Sequence, residues 1–236
     1  MACLLAAALL ASPAAPPPVG VYFEQTTITY AGGRAEGPGV MSRIWSEGPR
    51  MRLEAGETVG GPAFILRLDT GTAFRIEPKE RRAVEIDVAR LKTRSRMDLS
   101  MAGDLMGADA ESPARTRALA ATRTVAGLPC QSFRISQGST ELEMCVTNAL
   151  GVGVDAFADF LEWSGASQAL GGLLAEIRRL KGFPLETRSR VLVLGEAQET
   201  RSTVTKVVVG RQPQALFEPP AGYALVHEET QEEEDP

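Results

Sequence analysis

The residues best placed to do chemistry in this chain are two cysteines, Cys130 and Cys145, and the stretch between them alternates like a hairpin. Phe133 and Ile135 fall on one face of its first half, with Ser132, Arg134 and Ser136 on the other. In the second half Thr140, Leu142 and Met144 oppose Glu141, Glu143 and Cys145. With Gln137-Gly138 as a two-residue type I′ turn, Phe133 stands opposite Leu142, Arg134 opposite Glu141 and Cys130 opposite Cys145. That register matches apolar with apolar, plus with minus and sulfur with sulfur, and a one-residue slip scrambles all three. The expectation is a cross-strand disulfide closing a loop of about 15 residues. Direct opposition at a hydrogen-bonded pair holds side chains apart, which a bulge or longer loop would relieve. A reactive thiol pair is the alternative, but no histidine or CxxC spacing is there to activate it.

Other chemistry is scarce. The single histidine, His227, sits beside an acidic tail, so Ser–His and Cys–His nucleophiles are not supported. No cluster of His and Cys offers zinc its ligands, and no GxSxG occurs. Gly151, Gly153 and Ala156 spell G-x-G-x-x-A with Glu176 following, formally a dinucleotide fingerprint. The strand before it alternates polar and apolar residues, unlike a buried parallel strand, and no βαβ unit closes. Asp155, Asp159 and Glu162 share a helix face opposite Phe157, Phe160 and Leu161 and read as a solvated face rather than a calcium loop. The expectation is therefore no catalysis, no metal and no cofactor.

Binding is the better prospect. Arg90, Lys92, Arg94 and Arg96 at period two place four positive charges on one side of an extended segment. They suit an anionic membrane surface or a charge-protected edge strand. Met97, Met101, Leu105 and Met106 suit an adaptable apolar pocket or plain core. Phe217 is expected to plug the barrel end.

The elements that must carry these residues are mostly strands. Period-two patterning marks Val21–Tyr30, Val40–Trp45, Met51–Glu54, Phe64–Leu68, Ala73–Ile76, Ala83–Val88, Leu185–Leu194 and Thr200–Val209, with Gly and Pro between them. With the hairpin this makes about ten strands in one antiparallel meander. Helices interrupt it. Asp155–Trp163 starts at an Asp N-cap. Ser167–Lys181 carries a stripe of Leu170, Leu173, Leu174, Ile177 and Leu180, ends in basic residues and stops at Gly182. A weaker helix spans Asp98–Met106, and Gly107–Thr122 reads as a loop or short helix. The fold class is mainly β with inserted helices (α+β), a curved antiparallel sheet or half-open barrel wrapped around amphipathic helices.

Residues 1–15 read as a signal peptide, an uncharged apolar run ending in small residues. Cys3 precedes that run, so it is not placed for lipid attachment. Residues 16–19 are a Pro-rich start. Residues 20–226 form one domain with helical insertions near 98–106 and 155–181, and 227–236 form an acidic disordered tail. Setting aside the six tail acids leaves 24 acids against 25 bases. The near-neutral body carries no nucleic-acid footprint, and no apolar run in the remaining chain spans a membrane.

Several stretches together resemble an exported bacterial family, domain-of-unknown-function family 4412. They are Arg50 to Glu54; Phe74 to Val84; Val125 to Cys130 running into the hairpin; Gly182 to Leu185; and Leu216 to Tyr223. The resemblance implies a fold like the lipoprotein carriers LolA and LolB, a half-open barrel whose concave side holds acyl chains. It implies no reaction. This chain departs from those carriers in its disulfide hairpin and two consecutive helices.

Two functions follow as expectations. One is a periplasmic or cell-envelope binding protein holding a lipid or other apolar ligand between sheet and helices. Its candidate lining is Met97, Met101, Leu105, Phe157, Phe160, Leu161, Leu170, Leu173, Leu174 and Ile177, and its partners are lipid or lipoprotein acyl chains. The other is a structural or interaction module with a self-filled core that contacts an envelope protein. A groove of roughly 300 Å³ or more favours the first, and close packing favours the second.

Overall fold

The alternating stretches are strands of one open, curved sheet. The computed structural model describes residues 20–56, 60–89, 112–151, 167–193 and 196–228. In chain order the strands are β1 (Val21–Ala31), β2 (Arg34–Ala35), β3 (Val40–Glu47), β4 (Arg50–Ala55), β5 (Ala63–Arg67), β6 (Thr72–Glu77) and β7 (Arg82–Asp87). They continue as β8 (Arg115–Val125), β9 (Leu128–Gln137), β10 (Thr140–Thr147), β11 (Phe183–Val193), β12 (Glu196–Val209) and β13 (Ala224–His227). One helix stands among the described residues, α1 (Ser167–Arg179), between β10 and β11. It is too short to cross a membrane. The expected helices over Asp98–Met106 and Asp155–Trp163 lie outside the described residues.

Two meanders, β3 to β7 and β8 to β12, are joined through β1, which pairs with β3 on one side and β12 on the other. β13 lies parallel to β7, so His227 ends a strand rather than opening the tail. The strict alternation in β3 and β4 separates two faces. Arg43, Glu47, Arg50, Arg52 and Glu54 share one, in the register Arg43↔Glu54 and Glu47↔Arg50. Ile44, Met51 and Leu53 take the other.

β8 corrects the reading of Gly107–Thr122 as loop or helix. Its alanines favour helix, but Arg115, Thr116, Arg117 and Ala118 pair with β9 and form the sheet's outer strand. Tertiary pairing outweighs propensity there, and the arginines suit an exposed edge.

The hairpin forms with its register two residues from the expected one. The turn is Gly138-Ser139, with Phe133 opposite Met144, Arg134 opposite Glu143 and Ser132 opposite Cys145. Positive φ falls on Gly138 but not on Ser139, the pattern of a II′ rather than a I′ turn. Cys130 therefore reaches Cys145 diagonally. The disulfide forms across a Cα–Cα distance of 5.3 Å, and Arg134 pairs with both Glu141 and Glu143. Both sulfurs are buried with Phe183, Leu185, Val21 and Val204.

Replacing both cysteines by serine is expected to lower stability by about 3 kcal/mol for a loop of this length. That corresponds to a Tm drop of roughly 6–12 °C for a domain of this size, read by calorimetry. Without residues 1–15, the chain denatured in the absence of reductant should show no free thiol.

α1 follows the expected stripe. Leu173 and Ile177 pack on Ile135, Met144 and Val146, and Glu176 accepts a 2.6 Å hydrogen bond from the Thr116 hydroxyl on β8. Gly182 then lets the chain turn onto β10. Its φ is +113°, and a Cβ there would collide with Asn148 Oδ1 and lie 2.7 Å from the Thr147 carbonyl. That close approach explains the glycine before Phe183.

Candidate functional site

The candidate site arises where two neighbouring strands part. The β11–β12 ladder begins at Glu186↔Thr203. Before that point Phe183 and Pro184 pair with β10, and beyond it Val204 and Lys206 to Val209 pair with β1. Both strands are irregular at this point, with register shifts beside Cys145 on β10 and Glu24 on β1. Beside this parting lies an apolar pocket of about 140 Å³.

Its walls come from five strands. β1 gives Val21 and Phe23, β3 gives Ile44, β4 gives Met51 and Leu53, β11 gives Phe183 and Leu185, and β12 gives Val204. The Phe23 and Phe183 rings meet edge to face at 5.1 Å. Gln25, Ser46, Glu186, Thr187 and Ser202 supply polar atoms. Among the described residues no lysine or arginine lines the pocket, and its one acid, Glu186, is held by Arg123 at 2.5 Å. The two serines have no histidine or lysine beside them in that lining. Such a site offers dispersion contact and a few neutral hydrogen bonds, which suits holding an apolar group.

The residues expected to line a groove are placed differently. Met97, Met101, Leu105, Phe157, Phe160 and Leu161 lie outside the described residues, as does the Leu170 side chain. So do Arg90, Lys92, Arg94 and Arg96. Leu173, Leu174 and Ile177 are buried on α1 and do not line the pocket. Where α1 meets the sheet, side chains fill the interface. Val21, Phe23, Ile44, Met51, Leu53, Leu185 and Val204 fall within the strands expected from the sequence, whereas Phe183 and Pro184 precede the expected start at Leu185, and a parting of strands leaves no periodicity signal. Pro184 supplies no amide proton for a second ladder, in keeping with its pairing with β10 alone.

The other prominent feature is electrostatic. Glu199 on β12 is buried and accepts hydrogen bonds from Arg188 at 2.7 Å, Arg190 at 3.2 Å and Arg201. Arg188, and after it Arg201, hold its carboxyl down at about 2 against the opposing effect of burial. A depressed folded-state pKa means stability that is present above the unfolded carboxylate pKa and lost as pH falls through the folded one. Wild type should therefore exceed Glu199→Gln in urea midpoint at pH 6. The difference should shrink between about pH 4.5 and pH 2, and a pH-independent difference would refute this account.

The family model described as a domain of unknown function (DUF4412) matches residues 71–223. No curated protein matches the chain. Among solved structures, it is similar to an uncharacterized conserved protein from Thermus thermophilus, with TM-score 0.43, 11% identity and coverage of 88% of this chain and 90% of that one. For a putative outer membrane lipoprotein-sorting protein domain from Vibrio parahaemolyticus the TM-score is 0.33 at 10% identity, covering 84% and 88%. Similarity to PNGF-II has TM-score 0.38 and 14% identity over 89% of this chain, which spans only 31% of that protein.

Proposed function

The chain belongs to the DUF4412 family, and from that premise we propose that it is a non-catalytic binding protein of the cell envelope that houses an apolar group where β11 parts from β12. The observation that carries this reading is the pocket itself, walled by Val21, Phe23, Ile44, Leu53, Phe183, Leu185 and Val204. A volume of about 140 Å³ is near that of an engineered apolar cavity known to take benzene. It is below the roughly 300 Å³ at which drug-sized sites begin. The occupant is therefore the end of one acyl chain or a similarly slim apolar group, with the rest of the ligand outside. The signal-like residues 1–15 and the buried disulfide support an oxidising, exported setting. The LolA/LolB-like carrier fold implied by the sequence resemblance supports the same ligand class.

Native mass spectrometry of protein purified from the periplasm without detergent tests the reading. A releasable mass identified as a lipid is expected on the wild type and is expected to be lost in Leu53→Trp, which fills the pocket. An apo wild type that takes up no added lipid would overturn it. One observation favours the alternative of an interaction module with a self-filled core: Leu173 and Ile177 of α1 already pack on the sheet. A clean apo mass would move the weight to that reading.

A further inference from the structure

A second cavity, of about 290 Å³, lies within the curl of β8 to β12 and shares only Glu186 with the apolar pocket. β8 approaches β12 although three strands separate them in the ladder. Arg123 of β8 reaches Glu186 of β11 across β9 and β10. β8 loses its register on β9 between Ala118 and Thr122, and Leu119 and Ala121 of that stretch line the cavity. Irregular edge strands commonly re-aim groups at sites.

The charges inside are unevenly matched. Arg188 and Arg201 stand directly opposite each other on β11 and β12, an arrangement that repels unless an anion lies near. Glu199 bonds to both and also to Arg190, and Arg188 has in addition Glu143 opposite it at 4.0 Å. The two acids that line the cavity among the described residues are already engaged. Glu186 is held by Arg123, and Glu143 by Arg134 with Arg188 at 4.0 Å. The buried Ser132 hydroxyl lies beside the disulfide, 3.5 Å from Cys145 Sγ. Arg188 and Arg201 are each partly exposed, and the Arg201 guanidinium lies 4.8 Å over the Tyr30 ring.

We propose that this cavity binds a phosphate-type oxyanion between Arg188 and Arg201, with Arg123 at the mouth. The planar guanidinium fork matches phosphate oxygens in pairs, and the anion relieves the repulsion that Glu199 and Glu143 only partly offset. The group is supplied either by a small phosphorylated molecule or by a phospholipid headgroup.

Calorimetric titration of the full chain with inorganic phosphate and glycerol phosphate, beside flotation with phosphatidylglycerol and phosphatidylcholine vesicles, separates the two sources. Saturable binding of a soluble phosphate assigns a free ligand, and binding confined to phosphatidylglycerol vesicles assigns a headgroup. In either case Arg201→Gln is expected to weaken binding at least tenfold. Arg190→Gln, which touches the same carboxylate but does not line the cavity, should weaken it less than threefold. Circular dichroism checks folding, and if Arg201→Gln does not fold, Arg123→Gln takes its place with the same expectation. No saturable binding of any probe, or equal losses in Arg190→Gln and the cavity variant, would overturn the proposal.

Discussion

Phe217→Ala is expected to lower the unfolding free energy by about 3–5 kcal/mol, the range for emptying a buried phenylalanine site. The ring is fully buried among Ala63, Ile65, Ile76 and Ala83. It belongs to a short 3-10 turn, Gln214–Phe217, laid across the charged face of β4 and β5. Polar contacts fix the same segment. Arg52 donates to the Leu216 carbonyl at 3.2 Å and Arg67 to the Phe217 carbonyl at 3.5 Å. Glu47 accepts from the Gln212 amide at 2.5 Å, and the Arg50 guanidinium lies 5.0 Å above the Phe217 ring. Losing the ring opens a void and loosens the segment that Glu47, Arg50, Arg52 and Arg67 contact. A Tm decrease of roughly 6–20 °C should follow, measured by calorimetry. A loss under about 1 kcal/mol would mean that the segment does not hold the sheet.

Arg52→Met carries the second large effect. Arg52 and Glu54 are both buried, and the guanidinium meets one carboxylate oxygen at 2.9 and 2.7 Å. Gly60 N–H reaches the other oxygen at 3.4 Å. Removing the arginine strands a carboxylate beneath the Phe217 segment, and breaking a buried pair in this way costs about 3–5 kcal/mol. The double change Arg52→Met with Glu54→Leu removes both charges and should recover most of the loss, since apolar replacement of a buried pair is often neutral. A double-mutant cycle by urea unfolding reads the coupling. If the double variant is as unstable as Arg52→Met alone, ion pairing is not the cause.

How much of this could be read from the residues depends on what each rule constrains. Runs of apolar strand formers located the strands, as in Phe64–Leu68 and Ala73–Ile76, where Ile65 and Ile76 pack on one face and Leu66 and Ala73 on the other. Alternation left the register of the Cys130–Cys145 hairpin open by two residues, because a slip of two keeps every side chain on its own face. The structure settles on the register that puts Arg134 between two glutamates. β8 was hidden by its alanines, and β13 by its closeness to the acidic tail. The disulfide was legible, since its loop and faces survive a two-residue shift. The apolar pocket was not, because it depends on where β11 leaves β12, and that is decided by strand irregularities rather than by composition.

The position of β1 bears on how the chain comes to fold. β1 precedes every other strand of the sheet in the chain, yet one of its two edges is filled by β12, with contacts such as Thr27 to Ser202 spanning 175 residues. A growing chain can zip β3 through β7 onto β1 early, while the far edge of β1 waits until β12 has emerged. Contacts this distant in sequence slow folding, and an open strand edge invites pairing with other chains in the meantime. A chain stopped before Glu196 keeps that edge permanently unfilled. It should therefore accumulate as aggregates rather than as a folded amino-terminal half.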